Sequence, residues 1–162
     1  MYISFSEQAM ITVTFVHKDD ILSGEAQYIK NENSFFYEPW NDVNFSILIR
    51  NGYNSLDVNL QTKKALQLTG LNPQMNWIRK NLIVPKAQPG NLFILPDQNY
   101  QTGTGIQYAT NWQTYFNPDT GWVCIGNPND FCEDSAVLFA NNTIAMIENN
   151  NINSIWIKPT FV

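Results

Sequence analysis

Residues Val43 to Leu60 read VNFSILIR, then Asn51-Gly52, then YNSLDVNL. Asn-Gly supplies the two left-handed positions of a type I′ turn, the tight connection whose twist suits paired strands. Val43, Phe45, Ile47 and Ile49 fall on one face of the first arm. On the return arm Leu56, Val58 and Leu60 alternate with Ser55, Asp57 and Asn59. A period of two with one buried and one wet face belongs to an antiparallel sheet, and no helix can present it.

The same pattern recurs along the chain. Ile11 to Val16 alternates apolar residues with threonines, and Glu25–Lys30 and Ser34–Tyr37 flank the turn cluster Asn31-Glu32-Asn33. Ala136–Ala140, Thr143–Glu148 and Ile152–Lys158 read as a three-stranded meander with asparagine-rich turns. In its last strand Ile155 and Ile157 share one face, and Ser154 and Trp156 the other. Leu82-Ile83-Val84 and Leu92–Leu95 look like short buried strands joined by a loop through Gln88-Pro89-Gly90. One stretch breaks the pattern. Thr62 can cap KKALQLT and Gly70 can end it, after which Asn72-Pro73 offers a second helical start. The expected fold is mainly β: an antiparallel β-sandwich or curved sheet, one domain over residues 1–162, with one short helical insertion at about residues 62–81.

Composition narrows the function. The charged fraction is 14%, and 22 asparagines make up much of the polar surface. Net charge is -5, with nine scattered basic residues. Nucleic-acid affinity comes largely from Lys and Arg neutralising phosphates, so no nucleic-acid partner is expected. The paired short helices at 62–81 resemble a DNA-reading module only on paper, because Asn76 and Arg79 fall where its second helix needs apolar contacts. No apolar run approaches the roughly 18 residues of a membrane span. The start MYISFSEQAM lacks a basic segment followed by a long apolar one, so no signal peptide is expected. These features fit a soluble, acidic protein, cytoplasmic or virion-associated.

The chemically varied residues gather between Asp97 and Asp134, which holds both cysteines and four of the eight glycines. Tyr100, Tyr108, Trp112, Tyr115, Phe116 and Trp122 are interleaved with Gln, Asn and Thr. Flat rings beside amides suit a protein interface or a sugar site. Tyr100, Tyr108, Trp112, Tyr115 and Trp122 are the candidate binding residues. Tyr108 and Trp112, four apart, would not share a face of a regular strand. Asp130, Glu133 and Asp134 lie near Asn127 and Asn129, but their spacing is not that of an EF-hand and Phe131 and Cys132 interrupt them. Thr102-Gly103-Thr104-Gly105 has neither the third glycine nor the following helix of a phosphate cradle. His17, the only histidine, ends a strand beside Lys18 and Asp19 and reads as a surface residue. No metal site and no cofactor is implied.

Tyr115-Phe116-Asn117-Pro118-Asp119-Thr120-Gly121-Trp122-Val123-Cys124-Ile125 resembles the active-site segment of ubiquitin-conjugating enzymes, where a glycine-ended turn leads to a cysteine between apolar residues. The resemblance implies a thioester nucleophile at Cys124. It covers eleven residues. The family's His-Pro-Asn signature is absent, with Thr114-Tyr115-Phe116 in its place, and this chain ends in strands where the family ends in helices. Read from its own residues, Cys124 is a small buried hydrophobe on a strand. The leading expectation is a non-enzymatic binding or assembly module, a virion, appendage or host-interaction component. It would contact a protein partner or a second copy through residues 97–134. The alternatives are the Cys124 enzyme and a carbohydrate-binding module.

Overall fold

Strands from both halves of the chain close over one apolar interior. The computed structural model describes residues 11–49, 53–129 and 134–162. The strands are β1 (Ile11–His17), β2 (Glu25–Ile29), β3 (Ser34–Glu38), β4 (Phe45–Ile49), β5 (Asn54–Val58), β6 (Ala65–Leu71), β7 (Ile78–Arg79) and β8 (Gln88–Pro96). They continue with β9 (Thr104–Ala109), β10 (Thr114–Phe116), β11 (Val123–Gly126), β12 (Ala136–Ala140), β13 (Thr143–Glu148), β14 (Asn151–Ile157) and β15 (Thr160–Phe161). An eight-stranded sheet runs β1-β8-β12-β13-β14-β11-β10-β7, and a seven-stranded sheet runs β15-β2-β3-β6-β5-β4-β9.

The hairpin forms as its alternation requires. β4 and β5 pair antiparallel, with Phe45 opposite Val58 and Ile47 opposite Leu56. Phe45, Ile47, Ile49, Leu56 and Val58 all enter the core. The Asn51-Gly52 turn lies outside the described residues. The meander is also present: β12, β13 and β14 are consecutive antiparallel neighbours. Asn142, Asn149 and Asn150 take the left-handed conformations their turns need, which asparagine tolerates better than most residues.

Several local expectations change. Thr62–Asn81 contains strand β6, a single 3-10 turn at Gln74–Asn76, and β7. KKALQLT has good helix formers, but tertiary partners override that preference. Ala65 and Leu68 fill the core, while Gln67 and Thr69 hydrogen-bond Asp57 on the neighbouring strand. Gly70 does not stop a helix: at φ 111 it lets β6 pass β5, where a Cβ would overlap the Tyr53 carbonyl. Leu82–Val84 is not a strand, and Gln88-Pro89-Gly90 belongs to β8 rather than to a loop. The sheets are mixed, with parallel pairs β7–β10, β8–β12, β2–β15 and β4–β9.

The two sheets meet at a polar hub as well as an apolar one. Asn72 is fully buried. Its amide nitrogen donates to Asn54 Oδ1 (3.1 Å) and Thr114 Oγ1 (2.9 Å), one in each sheet. Its side-chain oxygen accepts from Trp77 Nε1 at 2.9 Å, and its backbone carbonyl from the Tyr28 hydroxyl at 2.7 Å. Each of these buried groups has a partner, so the hub avoids the cost of an unmet donor or acceptor.

Candidate functional site

The outward face of the eight-stranded sheet is apolar. Inward residues Val123, Ile125, Ile155, Ile157, Ala145 and Ile147 belong to the main core. Their alternates point the other way and form a second cluster of Cys124, Trp156, Ile144, Met146 and Ala136. Register places Ile78, Tyr115, Cys124, Trp156, Ile144 and Leu138 in one row across six strands. Apolar side chains on both faces mark a sheet meant to be covered twice.

The cover is residues 81–87. Leu82, Val84 and Ala87 pack onto the outer cluster. Pro85 lacks an N–H and keeps Val84 out of helical geometry, so this strap lies over the sheet without joining a ladder. It roofs the face only in part. A cavity of about 600 Å³ remains beside it, with Ala136, Met146, Val84 and Ala87 as apolar lining. His17, Lys86, Gln88 and Asp134 supply its polar lining. Ile83, on the strap, is 74% exposed.

Cys124 lies under this cover and is 0% exposed. Burial pushes its thiol far above the ordinary range, and a hydrogen bond from Ser154 offsets this only partly. Trp156 Nε1 also donates to Ser154 Oγ at 2.9 Å. A nucleophilic cysteine needs a lowered pKa and access to its acyl donor. Cys124 has neither, and its surroundings are those of an inert structural thiol. Cys132 and the acidic cluster's Asp130 and Glu133 lie outside the described residues.

The five candidate aromatics do not form one surface. Tyr115 and Trp122 pack half-buried against the outer cluster. Tyr100, Tyr108 and Trp112 pack against the main core instead. Tyr100 lies against Phe45, with ring centroids 5.4 Å apart. Tyr108 and Trp112 do meet, edge to face at 6.1 Å, because the chain bends after Ala109 and strand alternation no longer applies. The Tyr108 hydroxyl accepts from the Ile152 amide at 2.8 Å, and burial raises its pKa. These three rings are already engaged within the fold. The pocket-lining His17, Lys86 and Met146 were not singled out from sequence as binding residues. The available signal was the apolar character of Trp156, Ile144 and Met146 at outward positions.

The seven-stranded sheet presents a polar outer face. Ser46, Asp57 and Gln67 stand in cross-strand register. Asp57 is only 2% exposed. One carboxylate oxygen accepts from Ser55 (2.9 Å) and Ser46 (3.2 Å), the other from Thr69 (3.0 Å) and Gln67 (3.2 Å). Burial raises its pKa, and these four donors act against that rise. Asn41 Nδ2 donates to Gln67 Oε1 at 3.0 Å, tying the loop after β3 to the network. On the same face Trp40, 48% exposed, stacks on Phe36 at 5.6 Å.

Among the described residues, no three His, Cys, Asp or Glu side chains gather as metal ligands, and no helix is long and apolar enough to cross a membrane. No family model, characterised protein or solved structure matches this chain.

Proposed function

We propose that the chain is a non-enzymatic binding or assembly module that takes a protein partner, or a second copy of itself, on the outer face of its eight-stranded sheet. One observation carries the reading: an apolar face six strands wide with a partial roof and an open pocket. Exposed apolar residues continue it, with Ile78 (39%) at one end of the row and Ile83 on the strap. Of the 97–134 segment, Tyr115 and Trp122 belong to this surface. Exposed apolar surface of this kind is kept where something else covers it. The test is amide hydrogen exchange on the full chain, across a concentration series and with partners drawn from its genomic neighbourhood. Protection is expected over Ile83–Ala87 and Thr114–Phe116. A bound state in which those amides exchange as before would remove this face from the reading.

A second reading, carbohydrate binding, is favoured by the Trp40 ring, 48% exposed and stacked on Phe36. An exposed indole face offers a sugar ring a flat apolar platform. Silence on a glycan array, or binding unchanged by Trp40→Ala, would set it aside.

A further inference from the structure

The pocket beside the strap has a feature that narrows its occupant. Among the described residues, the backbone groups of Ile83, Val84 and Lys86 make no hydrogen bond. They lie at the mouth of a cavity whose lining includes the buried side chains of Ala136 and Met146. A free backbone edge beside an apolar hole is the arrangement by which an extended peptide is captured, its main chain giving affinity and its alternate side chains giving specificity. An acyl chain or an isolated aromatic ring would fill the hole and leave those backbone groups to water. Lys86 and His17 border the same mouth, with Asp134 the one carboxylate there among the described residues.

Resting on the binding reading above, we propose that this pocket receives an extended polypeptide segment. Its backbone pairs with the strap at Ile83–Lys86, and one apolar side chain inserts against Ala136 and Met146. An acidic residue beside that anchor meets Lys86. The cavity, about 600 Å³, lies within the range of roughly 300–1,000 Å³ typical of ligand sites and exceeds what one side chain fills. The segment therefore seats an anchor and part of the next alternate residue. Successive amides of an extended chain point to opposite sides and Pro85 has no N–H to offer, so pairing runs through the amides of Val84 and Lys86 and the carbonyl on that side.

The test uses the full chain and an array of capped synthetic peptides of the pattern Glu-apolar-Thr-apolar-Ser, with every apolar residue tried at both anchor positions. Saturable binding is expected for a subset. Methylating the backbone nitrogen between the anchors should weaken the best binder about tenfold, and Lys in place of the Glu should weaken it several-fold. Ala87→Trp, which fills the pocket, should abolish binding without changing the far-UV spectrum. If that variant does not fold, Lys86→Pro, which deletes one strap N–H as well as the ammonium, should weaken binding more than Lys86→Ala, which deletes the ammonium alone. Dodecanoate serves as the amphiphile control. Equal binding of the N-methylated peptide would overturn strand pairing and leave the apolar pocket standing. Dodecanoate binding with a silent array would overturn the polypeptide occupant. Silence of both would overturn the inference, while the hydrogen-exchange test judges the broader binding reading separately.

Discussion

The two outer faces of this sandwich solve the same problem in opposite ways. The eight-stranded sheet turns Cys124, Trp156, Ile144 and Met146 outward and needs a second layer, which residues 81–87 supply only in part. The seven-stranded sheet turns Ser46, Ser55, Asp57, Gln67 and Thr69 outward and satisfies them among themselves. The first face gains stability from apolar area removed from water and is therefore responsive to whatever covers it. The second gains it from saturated hydrogen bonds, and its buried polar groups need no further partner. The uncovered surface lies where the apolar cover is incomplete, not where polar or aromatic groups are most numerous.

Substitutions on the two faces break or sharpen this contrast. Trp156→Ala should have the largest effect, destabilising the fold by about 3–5 kcal/mol, because it opens a cavity under the strap. Urea denaturation followed by far-UV dichroism measures it, and a loss below about 1 kcal/mol would mean that the strap layer contributes little. Asp57→Ala should cost about 1–3 kcal/mol, since Ser46, Ser55, Gln67 and Thr69 are left facing a void.

Asp57→Asn separates charge from hydrogen bonding. Burial raises the native pKa of Asp57 above its unfolded value, so the native state holds its proton over a window in which the unfolded chain has lost it. Its favourable contribution is therefore full below an unfolded pKa of about 3.9 and lost as pH rises through the native pKa. Thermal melts across that window should show a falling contribution in the parent that is missing from Asp57→Asn. Parallel pH profiles would show that the four donors cancel the effect of burial.

Cys124 gives a kinetic comparison. In a Cys132→Ser background its reaction with a small disulfide reagent should proceed only as fast as the strap opens, and should accelerate in Leu82→Ala, which removes a side chain that packs the strap onto the outer cluster. Rapid labelling of the native protein would show that the cover is open. Ile83→Glu should have the smallest effect on folding, within about 0.5 kcal/mol, while weakening any complex on this face. A stability loss beyond that would make Ile83 part of the fold rather than of the surface.

The strands most readable in the sequence were those whose partners are local. The Val43–Leu60 hairpin and the Ala136–Lys158 meander carry their own alternation and their own turns, so neighbours in sequence are neighbours in the sheet. β6 was not readable, because its identity depends on Asp57 accepting hydrogen bonds from Gln67 and Thr69, a pairing between strands that a helical reading of Lys63–Thr69 cannot contain. The candidate site was half readable. Outward Trp156, Ile144 and Met146 announce a covered face, but nothing in Leu82–Ala87 states that it is the cover or that it leaves a gap. The aromatic residues of 97–134 do not share one surface, since Tyr108 bonds the Ile152 amide near the start of β14, Trp112 meets Tyr108 edge to face and Tyr100 lies against Phe45.

Asn72 bears on how the molecule comes apart. Its one amide nitrogen holds both sheets, and its oxygen and carbonyl hold Trp77 and Tyr28. Peeling either sheet away would strand a fully buried amide in an apolar interior, so a half-open state is unfavourable. Heat should melt both layers in one step, with calorimetric and van't Hoff enthalpies agreeing, and Asn72→Leu is the change that should let them separate.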